Sequence, residues 1–125
     1  MMRRLCLAAV ALVGFASPAI AQENCVVPYA PTVPKGATAT REQVNTTRNE
    51  VMAFLKASDQ YQVCLKLYLD QETANAARER RQVDAAVRAS ILAKNDANQR
   101  DKERTGAELN AAVRAYNTAH PAPEN

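Results

Sequence analysis

From Arg41 to Thr105 this chain contains neither glycine nor proline, and tryptophan occurs nowhere in it. The first absence removes the two residues that most readily interrupt a helix or shape a turn. The second, with only two phenylalanines and four tyrosines in 125 residues, leaves little bulk for a thick core. Histidine occurs once, as His120 in front of Pro121, so no Cys–His or Ser–His pair is available within the body of the chain. Glycine-rich phosphate loops, nucleophile elbows and metal-ligand clusters at recognisable spacing are also missing. The carboxylates sit mostly beside Arg or Lys on helix-like stretches, where solvated pairing explains them. These gaps favour a non-enzymatic protein that needs no cofactor and no metal.

What is present starts with MMRRLCLAAVALVGFASPAIAQENC. Arg3 and Arg4 form a positive n-region, Leu5 through Ala16 a short apolar run, and Ala19-Ile20-Ala21 a small-residue cleavage site. The run is too short for a stable membrane span, so residues 1–21 read as a secretory signal cleaved after Ala21; an uncleaved N-terminal anchor is the competing reading. Gln22-Glu23-Asn24 before Cys25 is no lipobox. Export to the periplasm or beyond follows, with no transmembrane segment after cleavage. Loss of Arg3 and Arg4 lowers Lys+Arg from 16 to 14 against 13 acidic residues. The net charge thus falls from +3 to +1, and nucleic acid is not an expected partner. Cys6 leaves with the signal, so Cys25 and Cys64 have one intramolecular pairing open to them.

Residues 22–39 form a Pro-rich strip in which Pro28, Pro31 and Pro34 recur every third position, the period of polyproline II. An unstructured linker is the alternative. Thr40 and Gln43 then have the form of a capping box. Val44, Thr47, Val51, Phe54, Ser58, Tyr61, Leu65 and Tyr68 follow at steps of three and four, which predicts one helix with a narrow seam. A second seam runs through Val87, Ile91, Asn95, Asn98, Lys102, Gly106, Leu109, Val113 and Tyr116, apolar at its ends and polar between. Pairing Val44 with Tyr116 and Leu69 with Ile91 gives an antiparallel hairpin over residues 40–118, centred near Arg80. Its turn belongs somewhere in 70–82, although 74–82 carries no turn chemistry. A break near 94–106, restarted by a second capping box at Thr105-Gly106-Ala107-Glu108, is the alternative. Residues 119–125 read as a disordered tail.

Two lengths bear on Cys64. From Thr40 to Cys64 a helix rises roughly 36 Å, while the fifteen steps from Cys25 to Thr40 reach at most about 46 Å in polyproline II. The strip can therefore run back along the helix, past Ala53, Ala57 and Tyr61, and arrive beside Cys64. A Cys25–Cys64 disulfide is the favoured reading; an unpaired or intermolecular cysteine, a metal ligand or a catalytic thiol is less well supported. The expected fold is all-α: an antiparallel helical hairpin with an N-terminal polyproline II strip packed along its first helix and tethered by that bond.

Two resemblances follow from these residues. The every-third prolines, the turn glycine Gly36 and a helix facing back over residues 25–68 resemble, in architecture alone, the polyproline–helix hairpin of pancreatic polypeptide. The pattern Cys25, Pro28, Pro31, Pro34 and Gly36, followed by Phe54, Tyr61 and Cys64 on a helix, is similar to small exported helical proteins of Gram-negative bacteria. That similarity implies a periplasmic location and supplies no activity and no site residues.

Candidate surfaces remain. Arg78, Arg80, Arg81 and Arg88 form the densest basic cluster, either a contact for anionic headgroups or an acidic partner, or a solvated tip. Leu109, Ala112, Val113 and Tyr116 are candidate apolar anchors for a partner. The polar stretch from Asn95 to Lys102 either marks a recognition groove or faces water. With so little apolar bulk per arm, a homodimer covering both seams is expected. The leading functional expectation is a periplasmic structural or interaction protein: an adaptor, chaperone-like binder or envelope component. The alternative is a small-ligand or lipid-binding module using a groove between the strip and the helices.

Overall fold

A computed structural model describes residues 25–123. The expected signal peptide, its cleavage site, residues 22–24 of the strip and the last two residues of the tail lie outside that range. Among the described residues there are two long helices and no strand. Helix α1 spans Arg41–Arg78 and α2 spans Ala85–Ala119, and a single 3₁₀ turn at Gly36–Thr38 precedes them.

The start of α1 follows from its cap. The Gln43 N–H donates to Thr40 Oγ1 at 3.1 Å and the Thr40 N–H donates to Gln43 Oε1 at 2.8 Å, which satisfies two otherwise orphaned donors. The helix then continues for 38 residues because nothing in it resists. It ends where Arg80 takes φ 54°. The Arg80 N–H donates to the Ala77 carbonyl and the Arg81 N–H to the Ala76 carbonyl. This is a Schellman closure with arginine in the left-handed position usually held by glycine. The connection therefore occupies residues 79–84, at the late edge of the expected window and two residues beyond it. Asp84 caps α2, its carboxylate accepting from the Ala86 and Val87 N–H groups.

The late break does not occur. Helix α2 runs unbroken through 94–106, and Thr105 is not a cap but a fully buried residue in mid-helix. The tail begins later than expected as well. Ala119 is helical, and the His120 N–H donates to the Tyr116 carbonyl while its ring stacks on Tyr116 at 4.4 Å.

The core is a thin seam between the two arms. Val44, Thr47, Val51, Phe54, Ser58, Tyr61 and Leu65 are buried along α1, with Tyr68 half-buried. On α2 burial falls on every seventh residue: Ile91, Asn98, Thr105 and Ala112. Seven residues come within about 20° of two full turns, so the four share one face. Tyr61, Leu65 and Ile91 form the densest apolar cluster, with Cys25, Tyr68, Leu69 and Val87 packed against it.

The segment before α1 is fixed at both ends. Cys25 is bonded to Cys64, with a Cα–Cα distance of 5.7 Å. Thr32 and Pro34 lie beside Gln43, Thr46 and Thr47 of α1, and Val33 and Pro34 also border Ala111, Ala112 and Ala115 of α2. The rise from Thr46 to Cys64 is about 27 Å, a span that eight or so residues cover only as an extended chain. At its lower end Gly36 meets α2 so closely that a Cβ there would fall 1.8 Å from the Ala112 carbonyl oxygen. Glycine is required at this position by close approach, and the alanines of α2 supply the shallow surface it rests on.

Candidate interaction surface

Part of the polar stretch of α2 turns toward α1. Asn98 Nδ2 donates to Ser58 Oγ at 3.1 Å, and both residues are buried. One turn on, Lys102 pairs with Asp59, and Gln62 Nε2 donates to Gln99 Oε1 at 3.2 Å, with Gln99 in turn donating to Glu103. These bonds cross the hairpin at its middle and set its register. Asn98 and Lys102 thus face α1, while Asp96, Ala97, Gln99 and Arg100 stay exposed and Asn95 borders an open groove between the helices. Among the described residues two buried atoms, Asn98 Oδ1 within the polar stretch and Thr105 Oγ1 one turn beyond, have no hydrogen-bond partner.

Of the expected apolar anchors near the end of α2, Ala112 is already covered, because Gly36 lies on its backbone. Leu109, Val113 and Tyr116 are half-buried within the hairpin. The expected cluster therefore does not form one open surface.

The arginines gather at the hairpin tip with acids among them. Arg81 is held by Glu79, and that bond raises the guanidinium pKa above its ordinary value, with Glu72 and Asp84 adding to the effect. Arg78, Arg80 and Arg88 are exposed and enter no ion pair among the described residues. Four arginines interleaved with three acids make a weaker single-sign field than the arginines alone suggest.

The exposed apolar residues concentrate elsewhere, around the disulfide. Tyr29 is 90% exposed and Val26 82%, with Val27 beside them, while Val63 and Leu67 stand out from α1 one turn apart. Cys25, Cys64, Gln60, Leu67, Tyr68 and Gln71 line a shallow open groove on one side of Val63. On its other side Leu65, Leu69, Ile91 and Leu92 floor a second. Val63 is the ridge between the two. The sequence reading missed this surface, because residues 63 and 67 fall outside the seam that it followed. The available signal was two large aliphatics at i,i+4 beside a cysteine, directly opposite the seam face.

Burial raises the Tyr61 pKa, as expected for a phenol packed in the apolar cluster. Among the described residues, no group of three or more His, Cys, Asp or Glu side chains converges as a metal site, and no helix is long and apolar enough to cross a membrane. Comparison with family models, curated proteins and solved structures finds no match to this chain.

Proposed function

We propose that this protein is a non-enzymatic interaction module of the cell envelope, an adaptor or envelope component. It presents the apolar ridge around its disulfide to a protein partner. The observation that carries this reading is the exposure of Val26, Val27, Val63 and Leu67 next to the disulfide, with Tyr29 exposed farther along the strip, on a chain whose own core is thin. Large apolar side chains exposed together, on a molecule with few to spare, favour contact with another protein. The disulfide supports an oxidising compartment, in keeping with a cleaved signal at residues 1–21. The alternation of half-buried Pro28, Pro31 and Pro34 with exposed Val26, Tyr29 and Thr32 supports a polyproline II course for the strip. Such a strip would hold Val26 and Tyr29 outward at a lower entropic cost than a proline-free segment.

A second reading draws on the groove floored by Leu65, Leu69, Ile91 and Leu92, which has the apolar character of a lipid or metabolite site. It lies between α1 and α2, not between the strip and the helices. Photocrosslinkers placed at Tyr29 and Leu67, compared with one at Ala107, separate the readings in the native envelope. The adaptor reading expects one recurrent protein adduct from the first two sites that Val63→Asp abolishes. Identical adducts from all three sites would sink it. Thermal stabilisation by a lipid or metabolite mixture, without protein adducts, would favour the second reading.

A further inference from the structure

Residues 25–34 lie along the hairpin without a hydrogen bond to it. Among the described residues, every backbone bond outside the helices belongs to the 3₁₀ turn, the caps or the connection at 79–84, and no side-chain bond joins residues 25–34 to α1 or α2. An extended segment docked on a protein normally gains its hold from main-chain pairing; this one has none. Its outward side chains, Val26 and Tyr29, bury almost nothing, and its prolines are only half-buried. Holding ten residues in one conformation costs on the order of 1–2 kcal/mol each in backbone entropy, less where proline is already restricted. Little in the packing opposes that cost.

The two ends differ. At the lower end the 3₁₀ turn has its own hydrogen bonds, and Gly36 is seated on Ala112. At the upper end the attachment is Cys25–Cys64 and the contact of Cys25 with the Tyr61–Leu65–Ile91 cluster. Apart from Cys25, the hairpin holds itself through residues of its own arms: Tyr61 and Leu65 against Ile91, and the polar cross-links at Ser58–Asn98 and Asp59–Lys102. The bond itself borders an open groove and both cysteines are partly exposed, so a thiol reagent can reach it.

We propose that Cys25–Cys64 is a thiol-switchable latch. Its reduction frees residues 25–34 as a mobile arm while the 3₁₀ turn and both helices keep their places, and the side of α1 around Cys64 is uncovered. The reductant is a dithiol. One of its thiolates attacks a sulfur of the bond, forming a mixed disulfide and releasing the other cysteine as thiolate. Its second thiolate then closes the reductant's own disulfide and releases the remaining cysteine. Two electrons pass to the protein, and the two protons lost by the dithiol end on Cys25 and Cys64.

The test is 15N relaxation on the full exported chain, oxidised and after treatment with dithiothreitol. Order parameters of the non-proline residues 26–33 should fall from about 0.85 to below about 0.6 on reduction, those of α1 and α2 staying near about 0.85. The Cys25→Ser/Cys64→Ser double variant should show the same pattern without reductant, which removes any side effect of the reagent. An arm that stays ordered in both the reduced protein and the double variant overturns the latch. So does a loss of order in the helices, which would make the bond a support of the hairpin itself.

Discussion

Arg80 holds a left-handed backbone where a helix ordinarily recruits glycine, and a Cβ in that conformation costs roughly 1 kcal/mol. Replacing it removes the strain while keeping the two closing bonds to Ala76 and Ala77. Arg80→Gly should therefore stabilise the protein by about 0.5–1 kcal/mol despite the added freedom of the unfolded chain. In thermal denaturation this reads as a rise of a few degrees, on the order of 4–8 °C per kcal/mol for a domain of this size; an unchanged or lowered midpoint would show that the arginine side chain does more than close the helix. Tyr61 supplies a second test at this scale. Its folded-state pKa lies above the unfolded value of about 10 because burial disfavours the phenolate. The stability tied to the neutral form is complete below pH 10 and is lost as pH rises through the folded pKa. Melting curves between pH 8 and 11 should fall with pH in the wild type and fall less in Tyr61→Phe.

At the scale of elements, α1 was largely legible and the rest of the hairpin less so. The alternation of threes and fours from Val44 to Leu65 named the buried face of α1, and the pairing of Leu69 with Ile91 gave the register. The turn was obscured because Arg80 performs a role that glycine would have announced, and because Asp84, a good N-cap, stands alone without a capping box. The centre of α2 was misjudged for another reason. Asn98, Lys102 and Thr105 are polar types that usually face water, and only the opposing Ser58, Asp59 and Gln62 make their inward placement tolerable. Thr105 has no such partner. Thr105→Val keeps the shape, removes a buried unsatisfied hydroxyl, and should raise unfolding free energy by about 1 kcal/mol in urea titration. Gly36→Ala should do the reverse, because its methyl group would collide with the Ala112 carbonyl. A loss of about 1–3 kcal/mol is expected, typical of overpacking at a site that cannot yield. The sequence marked Gly36 as a turn residue, but its closeness to α2 depended on a contact between residues 76 positions apart and had no local signal.

For the whole molecule, one covalent bond joins the start of the strip to α1 beside the exposed apolar ridge. The cysteine spacing and the reach of an extended chain made that bond readable in advance, whereas the apolar ridge around it was not, since exposure depends on what the fold leaves uncovered. The bond closes a loop of 39 residues in sequence separation, worth up to about 4 kcal/mol in the chain-entropy model and often less in practice. The Cys25→Ser/Cys64→Ser protein should accordingly unfold at lower urea concentration while retaining the helical circular dichroism of the parent. Collapse of that signal in the absence of urea would mean that the packed seam cannot sustain the two arms alone.

The same bond also changes how the molecule carries a load. If the chain is pulled from its N-terminal side and from the end of α2, tension entering at Cys25 crosses directly to Cys64 over a Cα–Cα distance of 5.7 Å. It does not travel the roughly 130 Å of backbone that the intervening residues would offer when drawn out. The 3₁₀ turn, the Gly36–Ala112 seat and the first two-thirds of α1 lie off the path of force. Only the stretch beyond Cys64, with the tip and α2, can lengthen under strain. A chain fastened in an envelope at both ends would thus behave as a short elastic segment with a protected, inextensible ring at one end.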